Sequence, residues 1–266
     1  MGAPEELVRW KKANLEALRS MAFGSSSVRD VTAVGYHYRR TPEELDESFW
    51  ITEFAFLQTF KTQGVMPSVL VVNQRSPLVD KFCDKYSIEL QIADNLVPGK
   101  DIRSLCIDLV DNLHARFKTP YVLTIQDDGF PLRPGLEEFV GKWDYVGAPW
   151  FHRSVCYHNL YPRKYSVGNG GFSLRSKRLC EVASRVYKKS FSRLPYCSRI
   201  CGDDTFYCKT LRFWFRNAVR GMIWPSPEEA STFSIEHDDG TQPTIPPLGF
   251  HSVGFMKYQR LFPNLI

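Results

Sequence analysis

The sequence has no Cys-x-x-Cys pair, no Asn-x-Ser/Thr sequon, no Gly-x-Gly-x-x-Gly and no Walker-type lysine loop. Its seven cysteines (Cys83, Cys106, Cys156, Cys180, Cys197, Cys201, Cys208) form an odd set. Cys197 and Cys201 are close, but no His or Cys at ligand spacing surrounds them, so a zinc site is not indicated and the thiols read as buried or idle. The missing glycine fingerprint argues against a dinucleotide dehydrogenase, and the missing lysine loop against a P-loop NTPase. No apolar run is long enough to span a bilayer and no leader pattern opens the chain. The expected location is therefore the cytoplasm or the cytoplasmic face of a membrane. Charge of one sign is also scarce: the formal net charge is +5, with Lys and Arg dispersed. No nucleic-acid module is recognisable, so nucleic acid is not an expected partner. An anionic small ligand or membrane headgroups suit this mild basicity better.

What is present is an ordinary globular composition, 43% apolar and 24% charged over 266 residues. That is enough chain to bury a core without staples, and its length suits a single α/β unit. The expected organisation is a peripheral helix in residues 1–27 and one domain over 28–266. Within the domain, 28–130 is expected to bind a nucleotide and 131–266 to carry acceptor binding and catalysis.

Residues 4–23 place Leu7, Trp10, Leu15 and Leu18 on a helical stripe with basic residues between. Such a helix packs on the body or, as a basic amphipathic helix, meets a membrane surface or a partner. A strand follows over Asp30–Arg39. Thr41-Pro42-Glu43-Glu44 then reads as a helix start, with an N-cap, a first-turn proline and acids. Its helix is expected to reach about Gln63. Pro67–Asn73 is apolar and β-branched, as in a buried parallel strand. A helix over Leu78–Tyr86, a strand over Ile88–Ile92, an amphipathic helix over Lys100–Phe117 and a strand over Tyr121–Ile125 complete a β-α-β-α-β-α-β order. That alternation predicts an α/β fold, an open and mostly parallel sheet with helices on both faces.

In such sheets ligands bind outside the carboxyl ends of the strands. The fourth strand ends there in Gln126-Asp127-Asp128-Gly129. Paired carboxylates before a glycine turn suit either a divalent cation or a solvated cap. Asp144–Trp150 (D-Y-V-G-A-P-W) is an aromatic block that either lines a cleft or packs as an edge. Val167–Ser176 (V-G-N-G-G-F-S-L-R-S) puts three glycines ahead of a strand, where a ligand can approach the backbone closely. Gly202-Asp203-Asp204 opens the amphipathic run Thr205–Phe215, and a helix start keeps carboxylates ionised. Segments 152–165 and 190–201 read as loops that would help select an acceptor. A strand over Ser234–Glu236 and the block Gly249-Phe250-His251 close the region.

This order of signals resembles the GT-A glycosyltransferases, whose Rossmann-like fold the sheet pattern matches. More closely it resembles a bacterial and fungal family known as a domain of unknown function, DUF5672. The shared blocks are Gln126–Phe130, Asp144–Trp150, Val167–Ser176, Gly202–Asp204 and Gly249–His251. The resemblance implies transfer of a sugar from a nucleoside diphosphate sugar, commonly UDP-linked, to a glycan or glycoconjugate. It also implies a manganese or magnesium ion held by an Asp-x-Asp motif and a C-terminal histidine. Gln126-Asp127-Asp128 stands at that motif's position with its first carboxylate replaced, which leaves Asp128 and His251 as the metal ligands. Gln126, Asp127, Gly170 and Gly171 would meet the donor. Arg175, or Lys257, would neutralise its diphosphate where no metal binds. The Gly-Glu-Asp pattern of the β-1,4-galactosyltransferases aligns Asp203 with an acceptor-binding acid and Asp204 with the general base of an inverting transfer. Trp150 and Phe172 would offer apolar faces to sugar rings. Two other readings stay open, a sugar-binding module on a decayed transferase fold and a nucleotidyltransferase.

Overall fold

The computed structural model describes residues 4–99, 102–150, 166–194, 202–237, 243 and 245–265. Strands β1 (Val31–His37), β2 (Ser68–Val72), β3 (Glu89–Ile92) and β4 (Tyr121–Ile125) lie parallel, in the order β3-β2-β1-β4. Beyond β4 the sheet continues through β9 (Ser173–Ser176), antiparallel to it, and β6 (Tyr145–Val146), antiparallel to β9. The mostly parallel α/β sheet expected from the alternation is thus present, with six strands.

Strand residues alternate between two apolar layers, as period-two side-chain geometry requires. Ala33, Leu70, Val72, Leu123 and Ile125 face one layer, and Val34, Tyr36, Val69, Val71 and Val122 the other. The first layer is covered by α1 (Glu5–Ser20), α2 (Pro42–Gln63), α3 (Pro77–Tyr86) and α10 (Gly254–Leu261). The second is covered by α4 (Arg103–Asp111), α5 (Leu113–Arg116), α6 (Lys177–Ser190) and the run beginning at α7 (Asp203–Thr205). That run passes through a π-helical turn (Phe206–Thr210) into α8 (Leu211–Trp214).

The local signals act as read. The Thr41 hydroxyl accepts from Glu44 N at 3.2 Å, with Pro42 at the first helical position of α2. Ser226 closes a reciprocal capping box with Glu229 at the head of the short α9 (Pro227–Ala230). Two readings change. The amphipathic run 100–117 breaks at Asn112 into α4 and α5, and Ile102, just ahead of α4, is exposed. The first helix is built into the core: Leu7, Leu15 and Leu18 are buried, and Trp10 packs against Phe54, Phe130 and Phe255. Its apolar stripe is therefore taken up by α2 and α10 rather than presented to a membrane or partner.

Cys83, Cys106, Cys180 and Cys208 are buried thiols, and burial pushes Cys83 up to about 12 and Cys180 up to about 11. Cys156, Cys197 and Cys201, the whole loop 152–165 and most of the loop 190–201 lie outside the described residues.

Candidate active site

The cleft opens where the parallel strands end. One compartment, a cavity of about 370 Å³, is lined by the ends of β1 and β4, including Tyr38, Arg39, Arg40 and Gln126–Asp128. A second, of about 340 Å³, is lined by Gly170, Gly171, Asp203, Asp204, Glu236 and His251, with Trp150 at its side. Ile102, Leu105 and Gln126 belong to both, so the two form one continuous site.

Short strands bring its distant parts together. β11 (Gly249–His251) runs antiparallel to β5 (Gly129–Pro131), and this register sets His251 opposite Gly129, beside the acidic turn. On its other edge β11 pairs in parallel with β10 (Ser234–Ile235), so the residue after β10, Glu236, also meets His251. His251 Nε2 lies 3.3 Å from Asp128 Oδ1, and Nδ1 lies 3.1 Å from Glu236 Oε1. Burial alone would lower the His251 pKa, but the two flanking carboxylates hold it well above the ordinary value. Burial would likewise raise Asp128 and Glu236, and His251 holds both below the usual carboxylate range. Asp127 goes the other way, raised by burial and by Asp128 beside it.

The floor of the second compartment is backbone. Asn169 adopts a left-handed conformation (φ 78°), one of the few non-glycine residues that does so readily. Its Oδ1 accepts from Gly171 N at 3.0 Å and Phe172 N at 3.2 Å, which folds the glycines into a flat platform. A Cβ on Gly171 would run into His251 Nε2 and come within 2.7 Å of Gln126 Oε1; one on Gly170 would strike the Asp203 carboxylate. Glycine is required at both positions because these side chains converge there.

Asp203 and Asp204 face the same compartment from α7, with different partners. Asp203 is buried and accepts from Arg175 Nη2 at 2.5 Å. Asp204 is half-buried; its Oδ2 accepts from Asn169 N at 3.3 Å and its Oδ1 from Thr205 N at 2.6 Å. Burial, then the neighbouring Asp203 and Glu236, raises the Asp204 pKa to about 7. A carboxylate so tuned can take a proton near neutral pH.

Two expected site residues do not reach the cleft. Arg175 is 0% exposed beneath the platform, where it donates to Ser173 Oγ, the Gly170 carbonyl and Asp203, and stacks 4.6 Å from the Tyr207 ring centre. Buried there, it lines neither compartment and so does not face a diphosphate bound in the cleft. Phe172 is fully buried and stacks on Phe233 at 4.9 Å, so it is core rather than a sugar-facing ring. Lys257 is buried as well, and it lies outside both compartments. Trp150 does line the cleft; its indole N–H donates to Glu236 Oε2 at 3.2 Å, and Lys209 Nζ lies 4.6 Å from its ring centre.

Three residues with no role in the sequence reading shape the site. Glu236 orients His251 and Trp150, and Asn169 builds the platform. Lys11, 1% exposed, crosses the core from α1 to donate to the Asp127 carbonyl and sits over the Phe54 and Phe130 rings. Burial lowers its pKa to about 8 against the pull of Asp127 and Asp128. The spacing Leu7, Lys11, Leu15, Leu18 was its signal, because a charge in the middle of an apolar stripe needs a partner.

Many solved structures are similar to the chain, those of the following two proteins among them. Core-mannan synthase A from Aspergillus fumigatus, in its Mn/GDP form, is 7% identical over 72% of this chain and 75% of that one, with a TM-score of 0.49. A glycosyltransferase involved in glycosylation of the major capsid of PBCV-1 is 10% identical over 87% and 98%, with a TM-score of 0.45. No curated protein matches the chain. The model of the family described as protein of unknown function (DUF5672) matches residues 105–251, from α4 through the whole acidic cleft to His251 and over more than half of the sequence, so the chain belongs to that family.

Proposed function

We propose that the protein is a GT-A-type glycosyltransferase that moves a sugar from a nucleoside diphosphate sugar, UDP-linked in the first instance, to a glycan or glycoconjugate hydroxyl. The observation that carries this reading is Asp204, a carboxylate raised to about 7 beside a glycine platform, with the Asp128–His251 pair lining the same cleft. Asp204 would take the proton from the acceptor hydroxyl as that oxygen attacks the anomeric carbon. The bond to the diphosphate breaks and its electron pair leaves with the phosphate. Attack from the side opposite the leaving group inverts the anomeric centre. Asp203, held by Arg175, would accept a hydrogen bond from a neighbouring acceptor hydroxyl, and Trp150 would pack on a ring.

The residues fit a divalent cation that displaces the proton His251 shares with Asp128. A carboxylate oxygen and an imidazole nitrogen lie 3.3 Å apart, and the far nitrogen of His251 is fixed by Glu236, the usual support for a ligating histidine. Asp128 and His251 would hold the ion, with manganese preferred to magnesium for a mixed oxygen and nitrogen pair. Among the described residues no three His, Cys, Asp or Glu side chains converge as a metal cluster, so phosphate oxygens and water would complete the coordination. When bound, the cation neutralises the leaving diphosphate. Arg39 and Arg40, lining the first compartment, take the anion-facing role expected of Arg175.

The test is release of nucleoside diphosphate from a panel of nucleotide sugars with manganese and a mixed glycan acceptor pool. The proposal expects release with one donor class, its loss in Asp204→Asn, and inversion of the anomeric proton coupling in the product. Equal release by the wild type and Asp204→Asn would overturn the base assignment.

A further inference from the structure

Two stretches lack acidic residues altogether. Val182–Leu194 holds Arg185, Lys188, Lys189 and Arg193, and Thr205–Ile223 holds Lys209, Arg212, Arg216 and Arg220, with no Asp or Glu in either. They are distant in sequence but packed together: the Phe191 ring lies 5.4 Å from Phe206 and 5.9 Å from Phe215. Six of their eight charged residues point outward; Lys209 is buried and Arg212 half-buried. Arg185, Lys188, Lys189, Arg193, Arg216 and Arg220 are all exposed, with Lys188 also 3.4 Å from Asp111.

Large apolar side chains stand among these charges. Trp214 is 68% exposed and Phe213 40%, their rings in edge contact at 4.9 Å, and Leu194 and Ile223 are exposed as well. Burying them in the molecule would remove apolar surface from water, yet the fold leaves them outside. The paired, exposed rings of Phe213 and Trp214 are of the kind that marks an interaction surface. Aromatic rings beside Arg and Lys match the headgroup region of an anionic bilayer, where the rings enter the interface and the cations meet lipid phosphates. A duplex nucleic acid would use the cations but leave Trp214, Phe213, Leu194 and Ile223 in water, and a single strand would stack on the two rings but leave Leu194 and Ile223 uncovered.

We propose that the end of the molecule formed by the C-terminal part of α6 and by α8 with the segment after it docks on an anionic lipid surface. Trp214 and Phe213 insert, and Arg216, Arg220, Arg193 and Lys189 supply the electrostatic contact. The proposal is independent of the chemistry of the cleft. It also moves membrane contact away from α1, whose apolar stripe is buried.

The test is flotation of the full chain with vesicles of phosphatidylcholine alone and of phosphatidylcholine with phosphatidylserine at about 3:1, at low and high salt. The proposal expects binding to the anionic vesicles at least about tenfold stronger, weakened by salt, with Trp214 emission shifted to the blue. Arg216→Glu with Arg220→Glu should reduce that binding about thirtyfold or more. Phe213→Ser with Trp214→Ser should reduce it while leaving the melting temperature near wild type, since both side chains are exposed. Equal binding to both vesicle types, binding unchanged in both double variants, or no binding would each overturn the proposal. So would a single-stranded oligonucleotide bound more tightly than the vesicles and lost in the Arg216 and Arg220 variant alone.

Discussion

The two compartments of the cleft share a wall of Ile102, Leu105 and Gln126 but differ in what faces the space between them. The first holds both signs, Arg39 and Arg40 with Glu44, Asp127 and Asp128, and His37 beneath them is kept neutral, its pKa lowered to about 4 mainly by burial. The second gathers Asp203, Asp204 and Glu236 around bare glycine backbone. Of the two, the first offers arginine side chains to an anionic ligand, while a neutral, hydroxyl-rich ligand suits the second. The difference is that the arginines stand on one side, as a cleft needs if it is to bind a phosphate and still hold a proton acceptor. Asp128 and His251 stand where the two regimes meet.

The largest expected effect comes from the carboxylate side. Asp204→Asn keeps the shape but removes the base, so kcat should fall by about 10²–10⁴. Nucleotide affinity, a property of the other compartment, should stay within a few-fold by calorimetry. Next is the pair beneath the platform. Arg175→Met leaves Asp203 buried without its cation, and breaking such a pair costs about 3–5 kcal/mol. Denaturant unfolding measures this; a loss of activity at unchanged stability would mean that Arg175 acts on a ligand after all. Glu236→Gln should weaken manganese-dependent nucleotide binding by about tenfold to a hundredfold and change little in chelator. That variant asks whether the acid compartment supports the ion that serves the other.

The pH profile separates the compartments further. Asp204 must be ionised to act and its pKa is raised, so kcat/KM should fall about tenfold per pH unit below about 7 and level off above it. A profile flat down to the ordinary carboxylate range would remove the assignment. The smallest effect is expected at Lys11→Met, which keeps the buried stem but releases the Asp127 carbonyl. Nucleotide KM should rise a few-fold with kcat little changed.

The first half of the chain was legible because its signals are long and local. Buried parallel strands read as continuous apolar runs, and Thr41 with Pro42 announces α2. The second half is assembled from strands of two to four residues, too short for any period to register. Glu236 acquires its role only through the register of β10 on β11, which no local pattern encodes. Phe172 and Arg175 were misplaced for a related reason. The glycine block presents backbone to the cleft, so the side chains just after it turn into the core and under the platform. Asn169 was legible in principle, since asparagine between glycines is a residue that tolerates the left-handed turn.

The central claim is that the first compartment binds a nucleotide through an ion held where it meets the second. Calorimetric titration with UDP, GDP and CMP, each with manganese and with chelator, tests it directly. The account predicts tight binding of one nucleotide that needs manganese and is lost in Asp128→Ala. Binding of none of the three, or equal binding with and without manganese in both proteins, would contradict it.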